Sequence, residues 1–390
     1  MGTEQFAGNQ IMKGKQSSVL IVGASFAGLA TAWWMHCLGY AVTIVEIAES
    51  PKRGGTPVDI REGVIEVVRR MGLLDRICSQ GLPPRPIKFL SADGTPLARL
   101  TRTADDQNSA QEEGYEIERN DLLDMLLDKV KDDVEFLFGD SIWGLEETDE
   151  GVAVTLTSGT KRSFSLVFGC DGIHSVVRKI CFGEESLFSL FLQHYVSLTI
   201  VNKLLIEENT SQMFNLPGRT VMLNAYNGKT DIAFSFFSDK EIAYDRRNVE
   251  QQKLMIQQHF GGRGWRTPEL LFEMNTCENF YFDKLCQIRM ESWTKGRVAL
   301  VGDAGYCPSP AAGMGGSMAI LGAAALADAF QMHPDDFGTA FQKYDRSLRP
   351  NVEQIQRQAV EIDLAMFAPR TEEEIKQRNA RFNAHEEAVQ

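Results

Sequence analysis

Gly23-Ala24-Ser25-Phe26-Ala27-Gly28 stands directly behind the apolar run Ser18–Val22, an arrangement that brings backbone close to a phosphate. Gly23 permits a tight bend out of a buried strand, and Gly28 leaves no side chain to hold the next helix away from the sheet. The helix predicted over 27–38 then aims backbone N–H groups around Ser25, Phe26 and Ala27, and the positive end of its dipole, at a pyrophosphate. Ser25 takes the place of the expected middle glycine; it keeps the backbone accessible and adds a hydroxyl. A second apolar run, 41–45, ends at Glu46-Ile47, and Glu46 follows Gly23 by 23 residues. That is close to the spacing of about 20 at which an acid grips a ribose diol.

A second buried strand stops at a carboxylate in Arg297-Val298-Ala299-Leu300-Val301-Gly302-Asp303. An acid so placed can accept a hydroxyl from a sugar or ribityl chain. The Pro/Gly-rich turn after it holds Pro310, Gly313, Gly315, Gly316, Ser317 and Met318, followed by an Ala/Leu/Gly-rich helical stretch to Phe330. Its glycines let a helix N-terminus approach a flat ring edge and stabilise negative charge on a reduced flavin. Between the two segments, the strand Val167-Phe168-Gly169-Cys170 ends in Asp171-Gly172. Taken together, Gly23–Gly28 and Gly302-Asp303 read as two ends of one bound flavin nucleotide.

These three motifs, in this order, resemble the FAD-dependent aromatic hydroxylases, the single-component flavoprotein monooxygenases of the p-hydroxybenzoate hydroxylase fold, over nearly all of 18–330. Glu118-Arg119-Asn120-Asp121-Leu122 matches the arginine at a helix start that reaches the flavin phosphates in that family. Within it, 293–310 is most similar to the tetracycline-inactivating flavin monooxygenases, the tetracycline destructases. Gly54-Gly55-Thr56-Pro57-Val58-Asp59-Ile60-Arg61 resembles their segment along the flavin ring. The chain departs from the family pattern at Met314, where Gln is common, and at Ser317, where Asn is common.

The resemblance implies FAD as cofactor, NADPH or NADH as transient reductant and O2 as co-substrate. One oxygen passes through a flavin C4a-hydroperoxide to an aromatic, phenolic or tetracycline-like polycyclic substrate, and the other leaves as water. It extends the FAD contacts to Arg53, Gly54, Gly55, Arg61 and Leu123, and makes Arg61 the candidate for placing the ring. No separate nicotinamide fingerprint is expected. The alternatives are a flavin-loaded binding protein without turnover, or another FAD enzyme such as a halogenase. Trp33-Trp34 lacks the Trp-x-Trp-x-Ile-Pro pattern of halogenases.

Composition agrees. With 390 residues, 43% hydrophobic and 24% charged, the chain exceeds one simple core and is too apolar for disorder. A net charge of −13 argues against nucleic acid or an anionic membrane as partner. Residues 1–15 are polar without an apolar signal core, and no apolar run is long enough to span a bilayer, so a cytoplasmic, monomeric protein is expected. Seven scattered cysteines without C-x-x-C spacing, and six histidines without a paired motif, predict neither disulfides nor a metal site.

The expected fold class is α/β. A three-layer Rossmann-like domain with an FAD-binding parallel sheet would comprise 18–80, 105–185 and 285–332. An antiparallel-sheet substrate domain would comprise 81–104 and 186–284, and a C-terminal helical region 333–390. Phe136-Leu137-Phe138 and 152–157 are predicted as strands of a meander inserted in the FAD domain. Met222, Phe234 and Phe236 are the candidates for lining an apolar substrate pocket. Period two places Phe234 and Phe236 on one face, without saying which face is buried.

Overall fold

In the computed structural model, residues 17–61, 63–101 and 114–389 are described. The polar stretch 1–15, and the boundary between 104 and 105, lie outside them. Val19, Leu20 and Ile21 have no exposed surface, as befits a central strand covered on both faces. Their strand, Ser18–Val22, pairs in parallel with Ala41–Glu46 on one side and Leu166–Gly169 on the other. The sheet of six strands continues through Val298–Leu300 to Thr294–Lys295 at one edge and ends at Glu135–Phe138 at the other. Only the Thr294–Lys295 pairing is antiparallel. Helices Phe26–Cys37 and Gly315–Met332 pack against each other, so the two glycine-rich turns that start them are neighbours in space.

Phe136 is a correction. It sits in the parallel sheet, opposite Ile44, because its β-strand is the edge partner of Ala41–Glu46. The meander is built from Ile142–Thr148, Gly151–Leu156 and Lys161–Phe164.

The second sheet has seven strands in the order Phe280–Ile288, Ser189–Val201, Lys229–Phe237, Arg219–Tyr226, Thr210–Leu216, Ile87–Leu90, Pro96–Leu100. Pairing is antiparallel except between Thr210–Leu216 and Ile87–Leu90. Strand Phe280–Ile288 runs through the predicted boundary at 284/285, so the crossing back to the FAD-side sheet comes after Ile288. Helices Val249–Phe260 and Thr267–Thr276 cover one face and bury Val221, Leu223, Phe234 and Phe236. Helix Phe337–Gln358 continues through Pro350 and packs on Gly315–Met332. A π turn, Ala359–Asp363, and a short helix, Leu364–Phe367, lead to Glu372–Val389, which packs on Pro96–Leu100; Phe382 stacks on Phe89 at 5.2 Å. Among the described residues no helix is long and apolar enough to cross a membrane.

Candidate active site

The glycine turn is as tight as its sequence demands. Gly23 has φ of +105°, and a Cβ on Gly28 would stand 1.8 Å from the Gly23 carbonyl oxygen. Arg119 ties this turn to its neighbours: Nη2 donates to Ser25 Oγ at 3.1 Å and Nη1 to the Gly54 carbonyl at 2.9 Å. Its guanidinium lies 4.9 Å above the Phe26 ring. A Cβ on Gly55 would meet Arg119 Cδ at 2.6 Å, so that glycine is the space the arginine occupies. Burial holds the Arg119 pKa below its usual value.

The Glu46 carboxylate accepts the Ala24 and Ala48 N–H groups at 2.8 and 3.0 Å, which fixes it beside the turn. Ile47 is exposed, Arg53 forms an exposed two-point ion pair with Asp124, and the Leu123 side chain is buried in the core. Ile47 and Leu123 do not line the cavity described next, whereas Arg53 does.

Asp171 serves its own helix. It accepts hydrogen bonds from Ser175 Oγ, Val176 N and Val177 N at 2.5, 2.7 and 3.1 Å, and burial nonetheless raises its pKa. Asp303 is different: its Oδ1 is buried and has no hydrogen-bond partner among the described residues, and desolvation raises its pKa. Gly302 before it has φ of +71°. A Cβ on Gly316 would stand 2.8 Å from Val58, so the helix start is pressed against the short strand Val58–Ile60. The Ser317 hydroxyl donates to the Asp59 carbonyl rather than into the cavity, and Met318 is buried.

Ser25, Phe26, Ala27, Gly54, Gly55, Arg119, Gly172, Asp303, Pro310, Gly313, Gly315 and Gly316 surround a cavity of about 530 Å³. Tyr281 and Leu198 of the seven-stranded sheet close it from the other side. The residues fit FAD. An unpartnered carboxylate oxygen points to a missing hydroxyl, two helix N-termini flank the space, and the glycines keep it clear.

A chamber of about 560 Å³ adjoins this cavity, and Thr56, Pro57, Val196, Ala233, Pro310 and Gly313 belong to both walls. Met222 lines the chamber, as does Arg61, which is ion-paired with Asp59 at 2.7 Å. Phe234 and Phe236 do not. Both are fully buried on the opposite, helix-covered face, where Phe234 meets Phe260 at 4.9 Å and Phe236 meets His259 at 3.7 Å. Sequence reasoning missed Arg85, Glu116, Asn224, Ser235 and Phe367 in the chamber wall. The Asn224 signal was present: Val221, Leu223 and Ala225 form an apolar set of period two, so Thr220, Met222 and Asn224 must face the other way. Behind this wall Asp231 accepts a hydrogen bond from Tyr226 Oη at 2.9 Å, and burial pushes its pKa up to about 7.

A parallel nucleotide sheet, joined through one cavity to a substrate-sized chamber under an antiparallel sheet, defines a flavoprotein. The FAD binding domain family matches residues 16–359, and the chain belongs to that family. An uncharacterized protein of Mycobacterium tuberculosis is 36% identical over 343 residues, covering 87% of this chain and 91% of that protein. A flavin-dependent monooxygenase from an unknown prokaryotic organism is 31% identical over 365 residues, covering 93% of this chain and 94% of that one. The crystal structure of tetracycline destructase Tet(55) superposes with a TM-score of 0.82 at 29% identity, covering 96% of each chain. The protein is a flavin-dependent monooxygenase.

Proposed function

We propose that the protein hydroxylates a multi-ring aromatic or phenolic substrate of tetracycline-like shape, with O2 as oxidant and NADPH or NADH as transient reductant. The observation that carries this reading is the wall shared by the nucleotide cavity and the chamber, which would let a bound flavin ring reach a substrate in the adjoining space. Bound FAD supplies the redox chemistry, carrying electrons from the reductant to O2.

The chain's own residues do the rest. Arg119 and the Gly23–Gly28 turn hold the phosphates, and Asp303 Oδ1 accepts a hydroxyl. The N–H groups at the start of helix Gly315–Met332 stabilise negative charge on the ring edge. Arg61, steered by Asp59, places the ring. Met213, Met222, Leu285 and Phe367 line the chamber with apolar surface that keeps bulk water from the reacting atoms. The likeness to a tetracycline destructase over nearly the whole chain supports the polycyclic substrate. A net charge of −13 favours a small molecule over nucleic acid as partner.

The test is the visible spectrum of the purified protein, followed by reductant oxidation with and without tetracycline. A yellow protein whose O2 uptake rises with tetracycline supports the reading. A yellow protein inert to both nicotinamides overturns it in favour of a flavin-loaded binder.

A further inference from the structure

The strand register arranges the chamber-facing side chains of the seven-stranded sheet into three transverse rows. Asp231, Asn224 and Ser211 stand opposite one another in the first. Ala233, Met222 and Met213 form the second, and Ser235, Thr220 and Asn215 the third. All but Asp231 and Asn215 line the chamber. An apolar, sulfur-bearing middle is therefore bracketed by polar rows.

Unmet hydrogen-bonding groups sit at both ends. Arg85, in the chamber wall beside the first row, has a side chain only 4% exposed. Its Nη2 donates to Glu116, yet Nε and Nη1 have no acceptor among the described residues. The Ser211 hydroxyl donates to Asn224 Oδ1, which leaves the Asn224 amide nitrogen for a ligand. At the opposite end the Ser235 hydroxyl is buried without a partner. Buried polar groups are ordinarily paired, so two such vacancies facing one chamber point to a ligand that completes them.

Their separation sets the ligand's size. Same-face residues along a strand repeat about every 7 Å, so the outer rows lie about 13 Å apart. A single benzene ring cannot touch both; a fused multi-ring compound can. Glu116 already balances the Arg85 charge, so the site calls for a neutral hydroxyl or carbonyl at that end rather than a carboxylate.

We propose that the chamber selects a fused polycycle with oxygen functions at both ends of its long axis. Arg85 and Asn224 read one end, the Ser235 hydroxyl reads the other, and the ring face lies on Met222 and Met213. This rests on the hydroxylase reading for what the chamber is, but its test measures binding alone.

Equilibrium dialysis of the FAD-loaded protein would compare 2,6-dihydroxyanthraquinone, 2-hydroxyanthraquinone, anthraquinone and 4-hydroxybenzoate. The expected order follows the number of end oxygens, each adding up to about tenfold in affinity, with the single-ring acid weakest. Arg85→Gln should reduce the two-ended ligand to the affinity of the one-ended one, and Ser235→Ala, a change small enough to spare the fold, should do so from the other end. The inference is overturned if 4-hydroxybenzoate binds as tightly as the dihydroxy compound, if no probe binds, or if Ser235→Ala leaves the ratios unchanged. Failure of oxygen transfer with these ratios intact would instead count against the monooxygenase reading.

Discussion

Asp303 concentrates the account at a single atom, the buried Oδ1 without a partner. Asp303→Ala should weaken FAD binding by about 1.5–3 kcal/mol, the worth of a hydrogen bond to a charged group, read by flavin fluorescence titration. Unchanged affinity would remove this carboxylate from the cofactor site. Gly28→Ala should be worse, because its Cβ would sit 1.8 Å from a backbone oxygen that cannot yield without moving helix from strand. We expect little retained flavin and a lowered melting temperature for that variant. Both residues were legible in the sequence, since a glycine after a strand and an acid at a strand end announce themselves by type and place. Arg85 was not: its burial depends on Glu116, 31 residues away, and on the Tyr226 ring 5.2 Å from its guanidinium. Neither relation leaves a local trace.

At the scale of elements, strand Arg219–Tyr226 decides what the chamber presents. Met222→Trp should fill the middle row, lowering affinity for polycyclic ligands at least tenfold while FAD binding stays within about twofold, since Met222 lines the chamber and not the nucleotide cavity. Parallel titrations of ligand and flavin would check both halves. The strands Ser18–Val22 and Ala41–Glu46 were readable end to end, because fully buried parallel strands are continuous apolar runs. Phe234 and Phe236 were misplaced because aromatic character does not tell which sheet face is buried. That is settled by helices Val249–Phe260 and Thr267–Thr276, which come later in the chain. Phe136 was misplaced for a related reason: a short apolar strand fits a meander or a parallel edge equally well until its partner is known.

At the scale of the whole molecule, His174 is one of the links between the two sheets. This residue follows Asp171-Gly172, and its ring nitrogens meet Glu185 at 2.8 Å and Asp283 of strand Phe280–Ile288 at 2.9 Å. Burial alone would lower its pKa, but the hydrogen bonds and charges of the two carboxylates outweigh that and raise it. Tyr244, Tyr281, Lys284, Arg178 and Arg246 add to the charged and hydrogen-bonding surroundings of these acids. A histidine whose pKa is raised on folding stabilises most fully below the ordinary value of 6.5, and that contribution is lost as pH rises through the raised one. Thermal unfolding should therefore show His174→Gln less stable than wild type on the acid side, with the difference shrinking toward alkaline pH. A constant difference at every pH would mean that the clasp does not titrate.

A parallel sheet combined with an antiparallel one was legible from the order of motifs, while the residues that form the wall between their cavities were not, because that wall joins residues as distant as Thr56 and Pro310. The meeting of the two cavities at that wall is the central claim, and the most direct measurement is oxygen tracing. The FAD-loaded protein is supplied with a reduced nicotinamide, a polycyclic phenol and isotopically heavy O2, and the product is weighed. One heavy oxygen atom in the product is the predicted result. A product without label, or one that takes its oxygen from labelled water, would contradict it.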